Sequence, residues 1–88
     1  MRLERVDYPV SDYQPIACIE HERLEFAVLR RIKLNLEYRD ELGQVQKRLV
    51  LPTDVATRGG AEWLSFRGSD GLDAVIRLDR IVTAKPVD

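Results

Sequence analysis

A strict alternation of apolar and polar residues between residues 32 and 39 constrains the fold of this chain more than any other feature. A period of two places the apolar side chains on one face of an extended strand and the polar ones on the other. We therefore predict a half-buried β-strand, whose sheet must have one face against a core. The alternating apolar residues are Ile32, Leu34, Leu36 and Tyr38.

Turn residues divide the rest of the chain into further strands. Residues 40–43, Asp-Glu-Leu-Gly, are typical of a hairpin turn because glycine readily adopts a positive φ, and residues 44–51 return as a second strand. Pro52 cannot donate a backbone hydrogen bond, so we expect this strand to be bent, bulged or at a sheet edge. The later strands are predicted at residues 61–67, 72–78 and 81–83.

One helix is predicted ahead of the strands, from about residue 20 to residue 29. Leu24, Ala27 and Val28 have the i, i+3, i+4 spacing that packs one helix face onto a core. Phe26 projects from a different side, which is therefore either covered by another element or exposed. No Ser, Thr, Asp or Asn stands at the expected start to cap the helix.

One helix followed by about five antiparallel strands predicts a mainly β fold. We expect a small bent antiparallel β-barrel with one N-terminal helix, the Sm-like arrangement, with SH3-like and OB-like barrels as alternatives. Residues 1–12 show no sustained period and contain a proline, so they are predicted to be a flexible N-terminal arm. The single domain is expected at residues 13–84, followed by a C-terminal tail at 85–88.

Composition narrows the class of protein. A chain of 88 residues is expected to fold as one domain, and its net charge of −1 argues against a protein whose main partner is a phosphate backbone. One cysteine cannot form an internal disulfide, and one histidine cannot organise a metal site, so neither metal nor cofactor is expected. No apolar run reaches the roughly 20 residues of a membrane-spanning helix, and the N-terminus lacks a secretory signal. We therefore expect a cytoplasmic protein with no membrane partner.

Acidic residues cluster where the predicted helix begins. Paired carboxylates can carry out acid–base chemistry, but only in a cleft with a second class of group nearby, so an enzyme is not predicted. Neither Glu22 nor Glu25 has a lysine or arginine three or four residues further on. A solvated acidic face and a surface for a basic partner both remain open. The cluster consists of Glu20, His21, Glu22 and Glu25.

Two other residues are predicted to be structural. Cys18 is expected to be a small buried residue rather than a reactive thiol. Trp63 lies in the middle of a predicted strand and is expected in the core, although an exposed tryptophan can stack on nucleic-acid bases.

A basic group supplies the alternative function, an Sm-like RNA-binding module. The same alternation of basic with apolar residues also suits the solvated face of a sheet, and the net charge counts against an RNA-binding role. An adaptor in some other complex is a third possibility. The basic group consists of Arg30, Arg31, Lys33, Lys47 and Arg48, of which all but Arg48 would serve the RNA-binding module.

Short motifs occur along the chain in the order found in a known family, and together they cover about residues 13 to 83. The chain resembles the Rof (YaeO) family, small bacterial proteins that inhibit the transcription termination factor Rho. The motifs are Tyr13-Gln14-Pro15-Ile16 with Cys18, Leu24-Glu25 with Ala27, the strand from Leu34 to Tyr38 with Asp40, Asp54-Val55 to Arg58, Glu62-Trp63, and Arg77-Leu78-Asp79-Arg80-Ile81.

The resemblance implies a non-enzymatic, monomeric Rho-binding antiterminator. Such a protein binds the N-terminal primary RNA-binding region of Rho and blocks RNA loading, without binding RNA itself. Carboxylates can compete for a basic RNA site by charge mimicry. Two departures from the family pattern are the uncharged Ile19 and the small pair Gly59-Gly60. The implied partner-binding residues are Glu20, His21, Glu22, Glu25, Thr57, Arg58, Gly59 and Gly60.

Overall fold

One helix and five strands make up residues 12–87, the part of the chain that the computed structural model describes. A 3₁₀ helix joins the last two strands. None of the helices in this part of the chain is long and apolar enough to cross a membrane. The elements are α1 (Cys18–Arg30), β1 (Leu34–Arg39), β2 (Val45–Arg58), β3 (Ala61–Gly68), β4 (Asp73–Arg77), the 3₁₀ helix (Leu78–Arg80) and β5 (Ile81–Pro86).

The strands form one antiparallel sheet in the order β4-β3-β2-β1-β5. This confirms the prediction of a mainly β fold with one N-terminal helix and a bent sheet. The sheet is not a closed barrel, because the described residues of β4 and β5 each pair with one strand only and not with each other. The 3₁₀ helix, with Leu78 fully buried, instead carries the chain from one edge of the sheet to the other.

Strand β2 is bent at Pro52, as the sequence predicts. The pairing with β3 shifts register between Pro52 and Asp54, so the missing amide falls at a bulge and the ladder resumes beyond it. The strand therefore continues to Arg58, well past residue 51. Its first half pairs with β1 and its second half with β3, so this one strand connects the two halves of the sheet.

The core lies between α1 and one face of the sheet. Alternate residues of β1 are buried, which confirms the predicted half-buried strand. Leu24 and Ala27 of α1 are buried against the same cluster, with Val28 partly buried beside them. Phe26 is 51% exposed, which answers the question left open by its position on the second face of the helix. The largest of the fully buried side chains are Phe66, Leu36, Leu64, Leu78, Val50 and Pro52.

Some of the first and last described residues lie in the folded domain, although they are predicted to be an arm or a tail. β5 runs to Pro86, and Lys85 pairs with Asn35 of β1, so the strand includes residues predicted to form the C-terminal tail. Asp12, assigned to the arm, contacts Arg77. The remainder of the predicted arm, residues 1–11, lies outside the described residues.

Candidate partner-binding site

Helix α1 begins at Cys18 without a side-chain cap. Its N-cap residue, Ala17, has an extended backbone, and the Ala17 carbonyl accepts hydrogen bonds from the amides of Glu20 (3.0 Å) and His21 (3.1 Å). Glu20 in the first turn interacts favourably with the positive end of the helix dipole. Cys18 is exposed, so the prediction of a buried thiol was wrong. It lies in the first turn of α1, on a side of the helix that does not face the core, whereas Leu24 and Ala27 are buried in the core.

The predicted acidic residues of α1 are all exposed to solvent. The Glu20 carboxylate lies 3.8 Å from the Arg23 guanidinium, and a Glu25 oxygen lies 3.5 Å from Nδ1 of His21. Glu22 forms no ion pair with any residue between 12 and 87. The sequence rule that left Glu25 without a partner considered only lysine and arginine further along the helix, and therefore missed the histidine one turn earlier.

His21 connects the helix to the sheet. Its Nε2 lies 2.8 Å from Oε2 of Glu62, at the start of β3, and the Tyr13 hydroxyl donates a hydrogen bond of 3.1 Å to Oε1 of the same carboxylate. Glu62 was not among the predicted site residues. It occurs in the sequence only as half of a Glu-Trp motif, and no local signal reveals a contact with residues so distant in the chain.

The loop between β2 and β3 is a tight hairpin. Gly59 and Gly60 both have positive φ, 58° and 81°, as a two-residue type I′ hairpin turn requires, so larger residues would be strained there. Trp63 is half-buried rather than fully in the core. Its indole Nε1 donates a hydrogen bond of 3.1 Å to the Arg58 carbonyl, which connects the two strands of the hairpin.

Helix start and hairpin are linked through Glu62. Thr57 is the register partner of Glu62, and Glu62 in turn contacts His21. The structure therefore connects the start of α1 to the base of the β2–β3 hairpin, two segments that lie far apart in the sequence. The site residues of these two segments, hereafter the acidic surface, are Glu20, His21, Glu22, Glu25, Thr57, Arg58, Gly59, Gly60 and, newly, Glu62.

A second cluster anchors the segment that leads into α1. Arg77 forms a fork with Asp79, with Nε to Oδ1 at 2.9 Å and Nη2 to Oδ2 at 2.6 Å. Its Nη1 lies 3.0 Å from a carboxylate oxygen of Asp12, and the Gln14 amide donates to Asp79 at 3.1 Å. The Arg77 guanidinium also lies 5.8 Å from the centre of the Tyr13 ring. Motifs from the two ends of the chain thus hold each other in place.

Tyr13 is expected to titrate unusually late. Burial, followed by the hydrogen bond to Glu62 and the negative charges of Glu62 and Asp79, raises the pKa of Tyr13 from 10.0 to about 12. Because the pKa of Tyr13 is higher in the folded protein than in the unfolded chain, protonated Tyr13 stabilises the fold. This stabilisation is fully present below pH 10.0 and is lost as the pH rises through about 12.

We predict that Glu62→Gln lowers the Tyr13 pKa, measured by carbon-13 NMR of labelled tyrosine. Glu25→Gln should leave it unchanged, and an equal effect of both variants would contradict the assignment.

An apolar cavity opens beside the acidic surface. It has a volume of about 410 Å³ and lies between α1, the start of β1 and the end of β5. Within residues 12–87, no group of three or more His, Cys, Asp or Glu side chains is placed to hold a metal ion. The cavity is lined by Glu20, Glu22, Arg23, Leu24, Phe26, Ala27, Ile32, Leu34, Ala84 and Pro86.

Several of the predicted basic residues are engaged within the domain. The Arg30 guanidinium lies 5.1 Å from the centre of the Phe26 ring. Arg48 lies 3.5 Å from Asp70, and Lys47 is the register partner of Glu37. These contacts suit the solvated face of a folded domain.

Comparisons with known proteins give a fold but not a family. No family model matches the chain, and no curated protein matches it. The structure is similar to part of the proteasome accessory factor B/C (PafBC) of Arthrobacter aurescens, with a TM-score of 0.68 and 20% sequence identity. The match covers 94% of this chain and 14% of that one. At this identity the likeness shows a shared fold alone, and membership of the Rof family stays a prediction.

Proposed function

We propose that this protein is a non-enzymatic inhibitor of Rho-dependent transcription termination that acts in the cytoplasm as a monomer. The acidic surface would bind the N-terminal primary RNA-binding region of Rho and block RNA loading. The observation that carries the proposal is the 2.8 Å contact between His21 and Glu62. It links the helix start to the strand that begins at the hairpin, and these are the two segments implicated by the resemblance.

Charge complementarity gives this surface its physical basis. A site that binds RNA phosphates must be basic, so exposed carboxylates are attracted to it and compete with the RNA. Glu22 is the best placed for this role, since no described residue neutralises it. The partly exposed Ile19 and Phe26, at 56% and 51%, lie on the same side of α1 and add apolar contact area beside the charge.

Binding to Rho tests the proposal directly. The purified protein should bind a Rho hexamer from the same organism and reduce RNA-stimulated ATP hydrolysis. If it neither binds Rho nor slows hydrolysis in excess, the proposal fails. Fluorescence anisotropy with a short uridine-rich RNA should show no binding at moderate salt, whereas micromolar binding would favour the RNA-binding module.

Reversal of one charge should weaken the complex in a salt-dependent way. We predict that Glu22→Lys lowers the affinity for Rho by about tenfold at low salt, because an attraction at the interface becomes a repulsion. The difference should shrink as salt screens the charges. Isothermal titration calorimetry at several salt concentrations measures both effects.

Glu41→Lys provides the matched control for that experiment. It makes the same change of charge at an exposed position in the β1–β2 turn, outside the acidic surface. Its affinity should stay close to that of the wild type. Equal losses in the two variants would mean that net charge, rather than the acidic surface, governs binding.

A further inference from the structure

We propose that Glu62 is a positioning residue that aligns the two halves of the acidic surface, the helix start and the β2–β3 hairpin, by holding His21. This inference rests on the proposed function, because it concerns the same surface. Glu62 itself need not touch the partner. Its role would be to hold His21, and with it the acidic start of α1, against the β2–β3 hairpin.

The carboxylate of Glu62 lies where three segments meet. One oxygen accepts the Tyr13 hydroxyl from the segment leading into α1, and the other lies 2.8 Å from the His21 ring on α1, while β3 carries Glu62 itself. The side chains of His21 and Glu62 are only 23% and 28% exposed. Partial burial shields the pair from water, so it constrains the helix more than a fully exposed ion pair would.

The chemistry of the pair fixes the state of the imidazole. An ionised carboxylate only accepts hydrogen bonds, so Nε2 of His21 must carry the hydrogen that points at Glu62. In neutral His21 the other nitrogen, Nδ1, then has no hydrogen, although it lies 3.5 Å from the Glu25 carboxylate. Of the two neutral tautomers, the contact with Glu62 therefore selects the Nε2–H form.

Three variants separate positioning from simple charge. Glu62→Gln keeps the size of the side chain but removes the charge that holds His21, and we expect an affinity for Rho several-fold below that of the wild type. His21→Gln leaves every carboxylate of the acidic surface in place but removes the ring that Glu62 holds, so it should lower the affinity for Rho to a similar extent. Glu41→Gln, which removes one exposed carboxylate elsewhere, should leave the affinity unchanged.

A measurement on the free protein keeps this inference separate from the proposed function. In Glu62→Gln, hydrogen exchange at the amides of Glu20 and His21 should be several-fold faster, and nitrogen-15 NMR should show that His21 no longer favours the Nε2–H tautomer. If Rho does not bind the wild type, the proposed function fails, and these two readouts alone decide whether Glu62 aligns the helix. Unchanged exchange and tautomer would overturn the inference even if Rho binds. Faster exchange with wild-type affinity would also overturn it, since alignment would then not matter for binding.

Discussion

Replacement of Phe66 by alanine is expected to lower the free energy of unfolding by about 4 kcal/mol. Phe66 is fully buried on β3, and its ring lies 6.0 Å from that of Tyr38 at a tilted angle. The Arg48 guanidinium covers it at 5.7 Å. The variant thus loses an aromatic pair and leaves a cavity at the centre of the sheet. Urea denaturation followed by circular dichroism measures the loss.

Two further variants make the Phe66 prediction decisive. Val75→Ala on β4, where the side chain is 49% exposed, should cost far less than Phe66→Ala. If Phe66→Ala does not fold, Phe66→Leu still tests the site, with an expected cost of about 1.5 kcal/mol. A Phe66→Leu variant no less stable than the wild type would contradict the assignment of Phe66 to the core.

The features that the sequence predicted correctly depend on neighbouring residues. Alternation in β1 follows from its own residues, because the side chains of a strand point to opposite faces in turn. The β1–β2 turn is equally local: the Asp40 carboxylate accepts the amides of Leu42 and Gln44, and Gly43 has the positive φ of 80°. Short-range geometry of this kind can be predicted from a short window of sequence.

The features that the sequence did not predict depend on distant residues. The Tyr13 hydroxyl and Glu62 are 49 residues apart in the chain, and Arg77 and Asp12 are 65 apart. Such pairs form only once β3 and β4 have paired in the correct register, so no local sequence pattern predicts them. The sequence indicates that residues 53–57 continue extended toward the Gly59-Gly60 turn, but their place in the same strand as residues 45–51 depends on β3, which supplies the partners that let the ladder resume.

Replacement of Asp79 by alanine should cost about 3 kcal/mol of unfolding free energy, because it breaks a mostly buried ion pair and leaves Arg77 paired with the exposed Asp12 instead of with two carboxylates. The side chains of Asp79 and Arg77 are only 8% and 14% exposed. The variant also removes the acceptor of the Gln14 amide, so the segment leading into α1 loses one of its anchors. Hydrogen exchange at the amides of Glu20 and His21 should rise along with the loss of stability measured by urea denaturation.

Asp73→Ala is the control that separates this effect from the loss of any surface ion pair. Its partner Arg67 lies 2.9 Å away, but the two side chains are 70% and 56% exposed, so this variant should lose much less stability than Asp79→Ala.

The pH dependence of stability gives a second test of the Asp79–Arg77 ion pair. Burial alone would raise the pKa of Asp79, but the hydrogen bonds from Arg77 and the Gln14 amide, with the charges of Arg77 and Arg80, lower it overall. Its contribution is therefore present above the ordinary value of 3.8 and is lost as the pH falls through the lower folded pKa. Between neutral pH and the acid range, the wild type should accordingly lose more stability than Asp79→Ala, and parallel pH profiles would contradict the ion pair as the source of the anchor.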